Sequence, residues 1–354
     1  MIYGASGYTG SRTAQRAVEL GHKPVLAGRA PDKVRAVAEP LGLAWQDVDL
    51  ADTAGLEKAL ADVDVVLNCA GPFFRTSEQL VQACLATGTH YLDVTGEIDV
   101  FERCAQLDAE ATAAGVMLMP GVGFDLVPGD CLAVYLKNQL PDATWLEVGF
   151  SYAGPMTRGS AKTSLLLFSQ GALVRRDHRL VPAPDKLTKT FDFGSGPVSC
   201  PAITFGDLAV SYRSTDIPNV TSFTTFNKVV DALIAGSTKV SGLIARPSVA
   251  ATGEWLLDRL PPGPNAKQLA KYGATIVAEV RNDAGDVRRA RMRTPNVYAI
   301  TFDLATMISV AVSEDGRVEP GYRTPAAVFG PDFPLALPGC SREDLPASTK
   351  KSIR

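Results

Sequence analysis

The groups best placed to do chemistry at the start of this chain are backbone amides. MIYGASGYTG sets Gly4, Gly7 and Gly10 three residues apart, between a short apolar run and the helix-like TGSRTAQRAVEL. A strand entering such a turn at the start of a helix presents N–H groups and a positive dipole end to a pyrophosphate. The first glycine permits the tight turn, the second lets backbone approach phosphate, and the third lets helix and strand pack closely. The spacing is G-x-x-G-x-x-G rather than G-x-G-x-x-G, so the surrounding βαβ pattern has to support it. At the end of the second apolar run the chain reads VLAGR, with no acid at Leu26, Ala27 or Gly28 and with Arg29 next. A site for NAD usually carries Asp or Glu there, whereas a guanidinium fork matches a 2′-phosphate. The expected cofactor is therefore NADP(H).

Other chemistries find little support. His22, His90 and His178 are the only histidines, and Cys69, Cys84, Cys104, Cys131, Cys200 and Cys340 are scattered without a C-x-x-C, so no metal site is expected. No tyrosine has lysine four residues on, which removes the Y-x-x-x-K pattern of short-chain dehydrogenases, and no Ser–His or Glu–His constellation suggests hydrolysis. Hydride transfer needs positioning and somewhere for charge to go, and the catalytic group is not identified. Asp125, in GFD, reads either as a cofactor contact or as a cap for a helix starting near Val127. Arg158 and Arg213 are candidate binders of a substrate carboxylate, phosphopantetheine or carrier protein. Arg289, Arg291 and Arg293 share one face of VRRARMR, which reads as the solvated face of an edge hairpin before it reads as a binder.

The elements that must position these residues follow a pattern. Through about residue 140, strand-like runs (PVLAG, AWQDVDL, VDVVLNCA, HYLDVT, VMLMPG) alternate with helical stretches, which predicts βαβ units and a parallel sheet. VVLNCA and VMLMPG are apolar without alternation, as in strands buried on both faces. Beyond residue 141, WLEVGFSYAG, AITFGDLAVSYRST, NVTSFTTF and the pair ATIVAEVRN/VRRARMRT, joined by DAGD, predict a mostly antiparallel sheet. Helical patterns occur at 162–174 and 227–244. Helical spacing returns at 298–312, and the Pro-rich tail from Pro331 reads as irregular.

GASGYTG with LAGR, NCAGPF, YLDVTGE and PGVGFDLVPGD resembles the saccharopine dehydrogenase-like oxidoreductases. TRGSAKTS, GALVRRDHRL, FGDLAVSYRSTDIPNV and GYRTPAAVFG resemble the branch that includes trans-acting enoyl reductases. The resemblance implies an α/β chain: a Rossmann-type parallel-sheet domain (1–140 and 295–354) that binds NADP, interrupted by an inserted α+β substrate domain with a mostly antiparallel sheet (141–294). It implies that Gly4, Ser6, Gly7, Tyr8, Thr9 and Gly10 carry the pyrophosphate and Arg29 the 2′-phosphate. Asn68, Ala70, Gly71 and Pro72 would lie by the nicotinamide ribose, and Thr95 and Gly96 would close the pocket, with the antiparallel sheet as its opposite wall. Only Met1, Ile2 and Tyr3 precede Gly4, fewer apolar residues than the family usually shows. The expected reading is a start placed late, with a weakened cofactor site as the alternative.

The expected function is NADPH-dependent hydride transfer to a C=C bond of an enoyl substrate that is carrier-, thioester- or lipid-linked. The alternatives are a saccharopine-type imine (C=N) reductase and a non-catalytic NADP-binding partner protein. A net charge of −3 gives no reason to expect nucleic acid, and no apolar run of 18 residues suggests a membrane span. Residues 1–20 lack the charged start and apolar stretch of a signal peptide, so a reducing cytoplasm is expected. The partner is then a small or carrier-linked acyl substrate, and a homodimer is compatible with the sequence.

Overall fold

The computed structural model describes residues 1–161, 171–225, 259 and 261–346. The chain divides into two compact units, Met1–Val134 with Val297–Cys340, and Tyr135–Asn296 with Ser341–Arg354. The expected helix at 227–244 and residues 162–170 of that at 162–174 lie outside the described residues.

In the first unit, β1 (Ile2–Tyr3), β2 (Leu26–Gly28), β3 (Trp45–Asp47), β4 (Val65–Asn68), β5 (His90–Asp93) and β6 (Met117–Met119) join β15 (Gly321–Tyr322) in a seven-stranded sheet. The order is β15-β6-β5-β4-β1-β2-β3, with every pair parallel. Parallel neighbours need crossovers, and the helices α1 (Tyr8–Glu19), α2 (Pro31–Leu41), α3 (Thr53–Leu60) and α4 (Phe73–Thr87) supply them. All residues of β4 and β6 are buried, which explains their unbroken apolar runs. α1 turns Gly10, Thr13, Ala14 and Ala17 inward, and these small side chains let the helix lie close to the sheet. Pro31 opens α2 and Gly42 ends it in the left-handed region, the usual asymmetry of helix punctuation. Among the described residues no helix is long and apolar enough to cross a membrane.

The second unit is built on a mixed sheet whose main path contains β10 (Thr188–Asp192), β11 (Pro197–Ile203), β12 (Asn219–Thr224), β7 (Trp145–Tyr152), β13 (Ala274–Arg281), β14 (Val287–Thr294) and β16 (Ser341–Leu345), in that order. β8 (Leu173–Arg176) and β9 (Arg179–Pro182) form a hairpin beside β12. Among the described residues only the β12–β7 pair is parallel. Phe191, Phe193, Cys200, Phe223 and Val277 form an apolar cluster on one face.

Three local expectations need correction. AITFGDLAVSYRST is not one strand: β11 ends at Ile203, a 3-10 turn covers Gly206–Leu208, and a helix runs Val210–Thr215 until Asp216 turns left-handed. Leu173 and Val174 end the supposed helix at 162–174 as strand, because Asp177 and His178 take positive φ and close the β8–β9 hairpin. The tail is not wholly irregular, since Ser341–Leu345 pairs with β14. That pairing is a backbone match between distant segments, which local composition does not encode.

Candidate nucleotide-binding site

Local geometry explains each glycine of the opening loop. Gly4 has φ +76°, and a Cβ there would stand 2.7 Å from the Ala70 amide nitrogen and 2.8 Å from the Ala70 Cβ. A Cβ on Gly10 would stand 2.5 Å from the Gly4 carbonyl oxygen and 2.9 Å from the Ala5 Cα. Gly4 is thus required where β1 passes the end of β4, and Gly10 where α1 crosses the loop. Gly7 caps α1 without any side-chain hydrogen bond, and Ser6 and Gly7 are exposed. The first turn of α1 therefore starts from an exposed turn at the positive end of the helix, the place where a pyrophosphate binds. Tyr8 is half-buried, with its ring 6.0 Å from those of Tyr298 and Phe302 on the returning helix Val297–Ser313. Thr9 follows it in the first turn of α1.

Arg29 stands exposed directly after β2 and makes no hydrogen bond or ion pair among the described residues. Its charge is felt by Tyr3, whose hydroxyl is pushed up to about 12 by burial and by Asp49, with Arg29 opposing. This cradle of obligatory glycines, an uncapped helix start and an unengaged guanidinium fits a dinucleotide carrying a 2′-phosphate.

The strand ends beyond β1 are tied together by a buried polar network. Asn68 is fully buried; its Oδ1 accepts from the Ala70 amide (2.9 Å), and its Nδ2 donates to Thr76 Oγ1 (3.1 Å) and to the Tyr91 hydroxyl (3.3 Å). Asn68 therefore shapes the turn, while Gly71 and Pro72 are exposed and Ala70 is half-buried. Tyr91 donates to Asp93 Oδ2 (2.8 Å), and Asp93 Oδ1 accepts from the amides of Thr95 (2.9 Å) and Gly121 (2.8 Å). Burial pushes the Asp93 carboxyl up to about 7, and these three donors partly offset that rise. Thr95 is buried and its Oγ1 accepts from the Glu97 amide; Gly96 is half-buried. Glu97 accepts from the amides of Phe73 (3.0 Å) and Phe74 (2.7 Å), placing a carboxylate on the N-terminus of α4.

Asp125 follows β6 in the loop that leads to α7 (Val127–Gln139). A Cβ on Gly96 would lie 3.3 Å from Asp125 Oδ2. Asp125 has no hydrogen-bond or ion-pair partner among the described residues, so nothing shows it capping α7, and burial pushes its carboxyl up to about 6. The loop is held by Thr301 of the returning helix, whose Oγ1 accepts from the Phe124 amide (3.0 Å). The structure thus gathers the residues expected at the nucleotide, from Gly4 to Gly96, along the carboxyl ends of one parallel sheet, where open α/β folds bind ligands.

Arg158 and Arg213 belong to the second unit. Arg158 is half-buried, with its backbone amide donating to the Pro262 carbonyl. Arg213 donates to the Ala209 carbonyl within its own short helix and lies over the Tyr212 ring (5.8 Å). Arg289 pairs with Glu279 (3.0 Å), and Arg291 and Arg293 both pair with Glu343, so these arginines are engaged within their own unit.

Sequence reasoning passed over Tyr91, Asp93 and Glu97, although all three stand in the quoted YLDVTGE. The available signal was an acid closing an otherwise apolar strand, since a buried charge persists only where donors meet it.

Residues 1–119 match the family model of the saccharopine dehydrogenase NADP binding domain. A trans-acting enoyl reductase of Mycobacterium leprae is 36% identical over 143 residues, 38% of this chain and 34% of that protein. A saccharopine dehydrogenase-like oxidoreductase of Rattus norvegicus is 29% identical over 160 residues, 40% of this chain and 37% of that protein. The matches thus span little more than a third of these relatives. The solved apo saccharopine dehydrogenase (L-Glu forming) of Saccharomyces cerevisiae superposes with a TM-score of 0.66 at 14% identity, covering 98% of this chain and 99% of that one. The homospermidine synthase of Legionella pneumophila, solved with NAD, gives 0.63 at 13% identity over 95% and 87%. The overall fold is therefore that of saccharopine dehydrogenase, and residues 1–119 are similar to the saccharopine dehydrogenase NADP binding domain.

Proposed function

We propose that the protein is an NADPH-dependent oxidoreductase that reduces a C=C bond of an enoyl substrate, presented as a thioester or on a carrier. The observation that carries this reading is Asp125, a carboxyl without a partner among the described residues, beside Gly96 at the strand ends and shifted by burial to about 6. NADPH, when bound, supplies a hydride. An enoyl acceptor that takes hydride at its β-carbon also needs a proton at its α-carbon, whereas a protonated imine carries its proton beforehand. A carboxyl that stays protonated to about pH 6 can hold that proton at one of its oxygens. The glycine loop and the start of α1 would hold the pyrophosphate, and Arg29 the 2′-phosphate. Backbone around Gly71 and Gly96 would flank the nicotinamide end. Donors for charge developing on the thioester carbonyl would come from backbone N–H groups. The Mycobacterium leprae relative, named a trans-acting enoyl reductase, supports this substrate class.

The test is loss of NADPH absorbance with a panel of enoyl thioesters and cyclic imines. Turnover of enoyl thioesters, abolished in Asp125→Asn while NADPH binding persists, is the expected result. Turnover of imines alone would favour C=N reduction, and tight NADPH binding with no turnover on either would favour a non-catalytic partner.

A further inference from the structure

The carboxylate of Asp93 sits at the centre of a polar chain running beneath three adjacent strand ends. From β4, the Ala70 amide donates to Asn68 and Asn68 donates to Tyr91; from β5, Tyr91 and the Thr95 amide donate to Asp93; from β6, the Gly121 amide donates to the same Asp93 oxygen. The Asp93 carbonyl also accepts from the Val122 amide (2.7 Å). Gly121 has φ +81°, and a Cβ there would meet the Phe101 ring at 2.8 Å, so the backbone passes close to that ring and the position requires glycine.

Asp93 is completely buried, and a buried carboxylate is a costly way to stabilise a fold when an apolar side chain of similar size would fill the space. What the carboxylate provides that an apolar group cannot is a fixed acceptor, shared by backbone amides from two different loops. We propose that Asp93 is a positioning residue: its Oδ1, with Tyr91 as the link to Asn68, sets the turns at 69–72, 94–97 and 121–125 in the register that holds the nicotinamide half of the cofactor. The adenine half, held at the glycine loop and Arg29, does not depend on it. The inference rests on the nucleotide-site reading above, but it concerns binding alone and is independent of which double bond is reduced.

Titration of NADPH and of adenosine 2′,5′-bisphosphate, which carries only the adenine half, tests it in the full chain. Asp93→Leu keeps the branched outline of the side chain, with bulkier methyl groups in place of the oxygens, and removes the acceptor. It should weaken NADPH by about tenfold and leave the bisphosphate within about twofold. Asp93→Asn retains an oxygen for both amides and should recover most of the NADPH affinity, a rescue that mere space-filling would not produce. If Asp93→Leu does not fold, Tyr91→Phe removes the hydroxyl that joins Asn68 to Asp93 Oδ2 while leaving both amide bonds to Oδ1, and should give a smaller loss, about threefold, again confined to NADPH. Equal losses for both ligands, or no loss for either, would overturn the inference while leaving the nucleotide site intact. A parent protein that bound neither ligand would overturn the site itself and this inference with it.

Discussion

Replacing Arg29 by alanine turns the cofactor assignment into a measurable energy. Arg29 is exposed and makes no hydrogen bond or ion pair among the described residues, so its removal should change stability by no more than about 0.5 kcal/mol. A charge-assisted hydrogen bond to a bound 2′-phosphate is worth about 1.5–3 kcal/mol. Solvent screening at an exposed site places the effect at the lower end of that range. At about 1.4 kcal/mol per decade, NADPH should bind roughly tenfold more weakly to the Arg29→Ala protein. NADH has no 2′-phosphate and should bind both proteins alike, so the preference between the two cofactors collapses. Because the pair is screened, raising salt should weaken NADPH binding more in the parent than in the variant. Calorimetric titration of both nucleotides at two ionic strengths reads all of this. Equal losses for NADH and NADPH would mean that Arg29 shapes the loop without touching the phosphate, and the reasoning would fail.

Gly10→Ala forces a methyl against the Gly4 carbonyl, which is backbone that cannot rotate away, so it should cost about 1–3 kcal/mol in chemical denaturation and also impair NADPH binding. Asp125 supplies a pH dependence with a defined sign. Its carboxyl is raised to about 6 in the fold against about 3.9 when unfolded, so its contribution to stability is complete below about pH 4 and is lost as pH rises through about 6. The stability of the parent relative to Asp125→Asn should therefore fall between those values and level off above them; a difference growing with pH would contradict the assignment. In the second unit, Lys189 lies between Glu147 and Glu279, all three largely shielded, so Lys189→Met should cost about 2–4 kcal/mol by leaving two facing carboxylates. Glu343→Ala, at an exposed carboxylate shared by Arg291 and Arg293, should leave the denaturation midpoint nearly unchanged.

The sequence by itself determined the parallel sheet and its glycine loop, because both are written in local terms. Buried parallel strands need unbroken apolar runs, as in VVLN and MLM, and a turn with φ +76° beside a crossing helix needs Gly4 and Gly10. The place of Arg29 directly after the second strand was legible for the same reason, since the strand and the residue that follows it are local. The tertiary structure decided what depends on residues far apart in the chain. That Asp93 accepts from Gly121, that Glu97 caps a helix begun at Phe73, and that Thr301 holds Phe124 are pairings across 28, 24 and 177 residues, and no window of sequence contains both partners. Ser341–Leu345 reads as irregular tail until β14 offers it an edge. The role of Asp125 was open in sequence because a capping acid and an unpartnered acid look alike there; only the surroundings, which supply burial but no donor, separate them.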